Sequence, residues 1–152
     1  MAELPINDVI ELQQVLARYA VAMTQGDVET VTSDVFTPDG SYSAFGSTYT
    51  LPDFPALVEA APKGLFLTGT PVLDLDVDAG TGTGQQPLLF IDQTNHHMRM
   101  GWYSDTYVRT EAGWRLKTRS MTFLRRHGGA DHGEPHDPLR PEPTAPTANP
   151  AN

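Results

Sequence analysis

The chain has 152 residues and a formal net charge of −9, which repels phosphate backbones and anionic lipid surfaces and argues against nucleic-acid or membrane partners. It contains no cysteine, which excludes disulfides, a thiolate nucleophile and a cysteine-ligated metal. No apolar run approaches the roughly 18 residues that span a bilayer, and residues 1–7 lack the order of a signal peptide, so we expect a cytoplasmic protein.

The N-terminal part of the sequence predicts helices. An apolar stripe with three- and four-residue spacing predicts a first helix over residues 9–25, with Asp8 and Glu11 as a capping box and Gly26 as the stop. The stripe consists of Val9, Leu12, Leu16, Tyr19, Ala20 and Met23. A second, short helix begins at the capping residue Asp27 and ends before a turn at residues 38–40. A hairpin over residues 41–51 and a third helix between Pro52 and Pro62 follow.

The remainder of the domain predicts four antiparallel strands, over residues 72–78, 88–91, 97–109 and 114–125. Helices packed over the concave face of a curved antiparallel sheet make an α+β fold, in which the helices and the sheet enclose a space. From Arg115 to Arg119, basic residues alternate with Leu116 and Thr118. That alternation is typical of the solvent-facing side of a strand.

The long strand over residues 97–109 carries two alternating sets of side chains, only one of which can face the enclosed space. Chemistry would favour Tyr103, Asp105 and Tyr107, but the apolar pattern predicts that the other set points inward. That other set consists of Met98, Met100 and Trp102. Asp105 is then a rim or surface pairing group, unless a bulge near Gly101 exchanges the two faces.

After residue 126 the composition changes, and prolines stand at positions 135, 138, 141, 143, 146 and 150. Such a segment buries too little apolar surface to become ordered. The sequence therefore predicts one folded domain over residues 1–126 and a disordered tail over residues 127–152. His127, His132 and His136 in this tail could hold a transition metal weakly, but adventitious binding is the expected outcome.

Two sets of phrases resemble the opening and the closing of SnoaL-like domains of the nuclear-transport-factor-2-like superfamily. The opening set is LARYA at residues 16–20, Gly26-Asp27 and FTPDG at residues 36–40. The closing set is GWYSDTYVR at residues 101–109, GWRL at residues 113–116 and Arg119. The resemblance spans residues 5–126. It implies a cone-shaped cystatin-like roll with a strongly curved sheet and an internal pocket, and a homodimer formed through the open face of the sheet.

The branch with the most similar motifs resembles scytalone dehydratase and bile-acid dehydratase, which remove a proton beside a carbonyl without a cofactor. Tyr19 matches the tyrosine of the first helix, whereas the acid position falls on Thr24 and the histidine position on Phe66. An acidic and an arginine strand position fall near Phe90 and Phe123. Phenylalanine at three polar positions predicts an apolar pocket and argues against the dehydratase mechanism.

Few residues are left as candidates for chemistry. Tyr19 is either a hydrogen-bond donor to a ligand carbonyl or an amphipathic core tyrosine. Only one of His96 and His97 can face the pocket, where it would be a general base if it approached Asp105 or Tyr19; otherwise both flank an exposed turn. Adjacent strand residues chelate metals poorly, and the acidic run at residues 74–78 fits an alternating strand better than a calcium loop, so no metal site is expected.

The resemblance and the pocket residues together lead us to expect a protein that binds a small, largely apolar molecule, polyketide-, terpenoid- or steroid-like, without a cofactor. Two alternatives remain open. As an enzyme it would be a lyase, isomerase or cyclase that uses Tyr19 as the donor and one of the two histidines as the proton carrier. Otherwise it is a non-catalytic ligand-binding or dimerisation module of the same fold.

Overall fold

A computed structural model describes residues 3–124 and the backbone of residues 130–131. Its helices are α1 (Ile6–Gln25), α2 (Val28–Thr30) and α3 (Phe54–Ala60), and a π-helical segment, Val31–Val35, directly follows α2. Its strands are β1 (Phe36–Ala44), β2 (Ser47–Thr50), β3 (Gly64–Thr68), β4 (Val72–Asp76), β5 (Thr81–Asp92), β6 (Met98–Thr110), β7 (Gly113–Leu124) and β8 (Ala130–Asp131). Of the predicted tail, residues 130–131 pair with β7, and the remainder lies outside the described residues.

The strands form one curved, unclosed sheet in the order β2, β1, β7, β6, β5, β3, with β4 also paired to β5. Every pair is antiparallel except β1 with β7, which is parallel. The helix α1 buries Leu12, Leu16 and Tyr19 in the core shared with the inner face of this sheet. The predicted α+β class with three helices is confirmed, and the parallel pair is an addition to it. Within residues 3–124, no helix is long and apolar enough to cross a membrane.

The two acidic residues near the start of α1 bind the sheet and do not cap the helix. The helix begins at Ile6, before the predicted start at residue 9. The Trp114 indole Nε1 donates to Asp8 Oδ1 at 2.8 Å, and the Trp114 backbone N–H donates to Glu11 Oε1 at 2.8 Å. The predicted capping box is therefore wrong, because both carboxylates fasten α1 to the β6–β7 hairpin. The predicted end is confirmed, with Gly26 in the left-handed conformation at φ 73°.

The strand β1 runs straight through the turn predicted at residues 38–40. Its pairing with β7 shifts register between Phe36 and Ser41, so the Pro38-Asp39-Gly40 sequence forms an irregularity within a strand. A Cβ atom at Gly40 would lie 2.9 Å from the Thr37 carbonyl oxygen. The glycine therefore allows a tight local bend without reversing the chain. The sequence does not predict the strand β3, because residues 64–68 carry large apolar side chains on both faces and so lack the alternation of a half-buried strand.

A bulge in β7 places Arg119 inside the protein. Residues 106 and 107 of β6 pair with residues 118 and 116 of β7, so that Lys117 is an extra residue in β7. The extra residue reverses the alternation of the strand. Trp114 and Leu116 are buried before the bulge, and Arg119 is buried after it with 0% exposure. The predicted solvent face is therefore wrong for Arg119, although Lys117 itself is partly exposed.

Candidate ligand-binding site

A partly open cavity of about 70 Å³ lies among α1, α3 and the inner face of the sheet. Of the fifteen described residues that line it, fourteen are uncharged and eight are aromatic. The aromatic residues are Tyr19, Tyr42, Phe45, Phe54, Phe66, Phe90, Tyr103 and Phe123. Phe45 stacks on Phe123 with ring centroids 4.8 Å apart, and Phe66 packs edge-on against Phe90 at 5.0 Å. These rings occupy much of the space that the curved sheet encloses and leave a small, apolar cavity.

The sequence-predicted pocket residues divide into those at the cavity and those away from it. Tyr19, Phe66, Phe90, Tyr103 and Phe123 line the cavity. Thr24 does not. Its hydroxyl donates to the Ala20 carbonyl at 2.8 Å and accepts from the Phe66 backbone N–H at 3.0 Å. Thr24 therefore joins α1 to β3.

The prediction that Met98, Met100 and Trp102 point into the pocket is wrong. Met98 and Met100 are 63% and 52% exposed, and Trp102 lies with them on the outer face of β6. Tyr103 and Tyr107 are 1% and 2% exposed on the inner face. The alternation along β6 is unbroken, so no bulge near Gly101 exchanges the two faces. The apolar pattern led to a wrong prediction because this strand carries large side chains on both faces, and the two outer methionines are exposed.

The two adjacent histidines lie in the turn between β5 and β6, away from the cavity. Both are exposed, and His96 has a φ of 57°, in the left-handed region. The His97 backbone N–H donates to Asn95 Oδ1 at 2.8 Å, which holds the turn closed. Neither histidine lines the cavity that contains Tyr19. Of the two alternatives for this pair, the structure shows the turn-flanking arrangement.

Asp105 forms a buried ion pair with Arg119 beside the cavity. Arg119 Nε donates to Asp105 Oδ1 at 2.9 Å and Arg119 Nη2 donates to Oδ2 at 2.7 Å, with both side chains fully buried. The Tyr107 hydroxyl also donates to Oδ2 at 3.0 Å, and Arg119 Nη2 donates to Gln86 Oε1 at 3.2 Å. The prediction of Asp105 as a rim or surface group is therefore wrong, because the bulge in β7 brings a guanidinium opposite its carboxylate.

The Arg119 guanidinium lies between two tyrosine rings that line the cavity. Its central carbon is 3.8 Å from the Tyr103 ring centroid and 4.5 Å from that of Tyr19. A cation over the face of an aromatic ring is attracted by its quadrupole. Two donors in this cluster, the Tyr19 hydroxyl and Arg119 Nη1, have no hydrogen-bond partner within the described part of the chain. Buried donors of this kind usually bind an acceptor from water or a ligand.

Burial fixes the protonation of this cluster. It raises the pKa of Tyr19 and of Tyr103 above the ordinary value of 10, although the charge of Arg119 opposes the shift in both. Burial also raises the pKa of Tyr107, and the Asp105 carboxylate raises it further. For Arg119, burial alone would lower the pKa, but the neighbouring Asp105 outweighs it and raises the pKa overall. All three tyrosines are therefore neutral donors near neutral pH, and Arg119 is charged.

The described part of the cavity lining offers hydrogen-bond donors but no proton acceptor. Among the described residues, the lining contains no histidine and no carboxylate, and the carboxylate of Asp105 is occupied by Arg119 and Tyr107. The tyrosines hold their protons because their pKa values are raised. General base catalysis needs a group that loses its proton near the working pH. No cluster of metal-ligating side chains occurs in the described ranges either.

The fold and the cavity together define a small α+β domain in which helices close a curved sheet around an apolar pocket. The SnoaL-like domain family matches residues 5–120, so the chain belongs to the SnoaL-like domain family. The comparison with curated proteins gives no match.

Several solved structures share this fold. A protein of unknown function from Mycobacterium tuberculosis is 21% identical, with a TM-score of 0.71 over 82% of this chain and 79% of that one. A protein of unknown function with a cystatin-like fold, from Nostoc punctiforme, is 17% identical, with a TM-score of 0.69 over 80% of this chain and 95% of that one. A protein from Novosphingobium aromaticivorans, named as a candidate scytalone dehydratase, is 13% identical, with a TM-score of 0.70 over 93% and 96%. At these identities the likeness establishes the fold alone.

Sequence reasoning missed two cationic residues at the site. Alternation along β7 predicts a solvent position for Arg119, because without the bulge at Lys117 the residue falls on the wrong face. Arg99 lines the cavity and is not among the sequence-predicted site residues. Its position did carry a signal, since it shares the parity of Tyr103 and Asp105 along β6. Once Tyr103 is known to point inward, Arg99 must do so too.

Proposed function

We propose that the protein is a non-catalytic binding module for a small, largely apolar molecule, which inserts into the aromatic cavity. The observation that carries the proposal is the lining itself: of its fifteen described residues fourteen are uncharged, and none of their side chains can accept a proton. Apolar pockets with few polar groups are the usual form of small-molecule sites. An enzymatic role as lyase, isomerase or cyclase is the weaker alternative, because the residues expected to carry protons lie elsewhere.

The size of the cavity narrows the ligand. Its volume of about 70 Å³ is well below the roughly 300–1,000 Å³ of pockets that hold drug-sized molecules. A single ring or a short branched chain suits this space, and the open side allows a substituent to extend into solvent. A steroid- or polyketide-sized molecule would require several of the lining phenylalanines to move, so the proposal is confined to smaller ligands.

The test is a titration of the protein with toluene and with cyclohexane, in which ligand-observed NMR measures binding. Glycerol is the polar comparison. Both hydrocarbons should bind to the unmodified chain, and glycerol should not. Ala61 lines the cavity and is partly exposed, so Ala61→Trp should fill the cavity and abolish binding without disrupting the core. Ala56→Trp, at an exposed position of α3, is the matched control and should bind normally. Hydrocarbon binding that survives Ala61→Trp unchanged would contradict the proposal.

A second proposal concerns the outer face of the sheet, which we infer to bind a second copy of the chain. Two rows of directly paired residues cross β3, β5 and β6, and all of them are apolar. The rows are Leu65–Ile91–Met98 and Leu67–Leu89–Met100. Paired residues share one face of a sheet, and Leu65, Leu67, Met98 and Met100 are each more than 40% exposed. Contiguous exposed apolar patches usually mark an interaction surface.

Sedimentation equilibrium tests this second proposal. The unmodified chain should sediment as a dimer, and Leu67→Lys combined with Met100→Lys should convert it to a monomer, because charges would then face the apolar surface of the partner. Val72→Lys serves as the control, since Val72 is 76% exposed on the neighbouring β4 but lies outside both rows. An unmodified chain that stays monomeric at its highest attainable concentration would rule out the interface.

A further inference from the structure

Arg99 is the single charged residue among the fifteen described residues that line the cavity. It lies on the inner face of β6, where its backbone pairs with Phe90, a residue 5% exposed that also lines the cavity. The Arg99 side chain is only partly buried. Its position therefore combines contact with the apolar interior and access to solvent. An arginine places its alkyl stem along apolar surface while its head group stays near water.

No anionic side chain within the described residues pairs with Arg99. The ion pairs of this part of the chain involve Arg109, Lys117 and Arg119. Asp92 is the acidic residue on the same face of β5, two positions beyond Phe90, and its Oδ1 accepts the Thr94 backbone N–H at 2.7 Å. Asp92 lies outside ion-pair distance of Arg99, whose guanidinium makes no hydrogen bond to another described residue.

The two arginines near the cavity differ in their charge balance. Arg119 is neutralised by Asp105, so its surroundings carry no net charge and offer little attraction to an anion. Arg99 retains its full positive charge in a protein whose formal net charge is −9. Among the described residues that line the cavity, an entering anion therefore meets one cation without an ion-pair partner, Arg99. The excess negative charge elsewhere disfavours ligands that carry several negative charges.

We infer that the cavity takes a small monocarboxylic acid, whose single ring or short branched chain fills the aromatic interior and whose carboxylate binds Arg99. This inference deepens the proposed function and rests on it. A guanidinium offers a planar fork of donors that matches the geometry of a carboxylate, and charge-assisted pairs of this kind are stronger than neutral hydrogen bonds. The apolar part of the acid supplies contact area, and Arg99 sets its orientation in the cavity.

The test compares three ligands of similar shape: cyclohexanecarboxylate, cyclohexanecarboxamide and methylcyclohexane. Isothermal titration at neutral pH and low salt should show that the carboxylate binds about tenfold more tightly than the amide. The advantage should disappear in Arg99→Gln, which removes the charge. It should be partly restored in Arg99→Lys, which keeps the charge but loses the planar fork. Arg18→Gln is the matched control, because Arg18 is exposed on α1 away from the cavity.

The outcomes separate this inference from the proposed function. A carboxylate advantage that is lost in Arg99→Gln and kept in Arg18→Gln supports it. Equal affinity for the acid and the amide, or a carboxylate advantage that survives Arg99→Gln, overturns the inference about Arg99. In that case the proposed function still stands, provided that all three ligands bind. If none of the three ligands binds, both are overturned. Melting temperatures of the Arg99 variants show that they fold, since a partly exposed position should tolerate either substitution.

Discussion

The buried pair of Asp105 and Arg119 provides the sharpest test of the structure. Removing one partner leaves the other as an uncompensated buried charge, which costs about 3–5 kcal/mol of unfolding free energy. Arg119→Met should therefore destabilise the protein by about that amount, and Asp105→Asn should do so as well. For a domain of this size, roughly 3 °C per kcal/mol gives a fall in melting temperature of about 9–15 °C. Both side chains are fully buried, so solvent offers them little compensation.

The double variant, Arg119→Met with Asp105→Asn, removes both charges of the buried pair together. It contains no unpaired charge, and the introduced asparagine side chain would still accept the hydrogen bond from Tyr107, so we expect it to be more stable than the sum of the two single losses predicts. Urea denaturation followed by tryptophan fluorescence measures all three variants. Arg119→Lys provides a milder perturbation if a single variant is too unstable to study. Losses below about 1 kcal/mol in both single variants would refute the reasoning, because exposed pairs behave that way.

Three further predictions concern the tyrosines and the attachment of α1. Tyr107→Phe should cost about 1.5–3 kcal/mol, because its hydroxyl donates to a carboxylate, whereas Tyr19→Phe should be nearly neutral, because its hydroxyl has no described partner. In an alkaline absorbance titration, Tyr19, Tyr103 and Tyr107 should resist ionisation above pH 10. Since their folded pKa values are raised, their contribution to stability is complete below pH 10 and is lost as the pH rises further. Asp8→Ala should cost about 1–3 kcal/mol, because it leaves the Trp114 indole N–H without its acceptor.

Each of these predictions has a result that would contradict it. Equal losses from Tyr19→Phe and Tyr107→Phe would mean that the Tyr19 hydroxyl is bonded in solution. If all five tyrosines of the chain ionised together near pH 10 with the protein still folded, the described burial would be wrong. For Asp8, the exposed Asp78 is the control position, and a loss from Asp8→Ala no larger than that from Asp78→Ala would exclude the attachment to Trp114.

Local patterns predicted the elements whose signals lie within one segment. The apolar stripe of α1 and the stop at Gly26 are local features, and both are found in the structure. Local spacing led to a wrong prediction, the capping box, at Asp8 and Glu11. A capping box and a pair of acids that reach a distant hairpin have the same sequence spacing, and only the position of Trp114 distinguishes them. The fold class could therefore be predicted, while the partners of individual side chains could not.

The positions of the site residues depend more on contacts between distant parts of the chain than the helices and strands do. The inward position of Arg119 follows from a one-residue bulge, which alternation within a single strand cannot reveal. Met98 and Met100 are exposed because the helices cover the other face of the sheet. The sequence of β6 alone does not show which face is covered. The apolar lining formed by the phenylalanines at residues 66, 90 and 123 could be predicted from the sequence. These positions are polar in the related dehydratases, and phenylalanine in their place makes a pocket apolar whatever the details of the packing.

The parallel pairing of β1 with β7 has a consequence for the synthesis of the chain. The strand β7 lies between β1 and β6, so the sheet remains in two separate parts until the last long strand is available. The helix α1 also lacks a partner until then, since Glu11 and Asp8 bind Trp114, which lies 103 and 106 positions later in the chain. On the ribosome, the first hundred residues therefore emerge without their central strand. Contacts this distant in sequence slow folding, and a chain that terminates before residue 113 would lack the strand that joins its two halves.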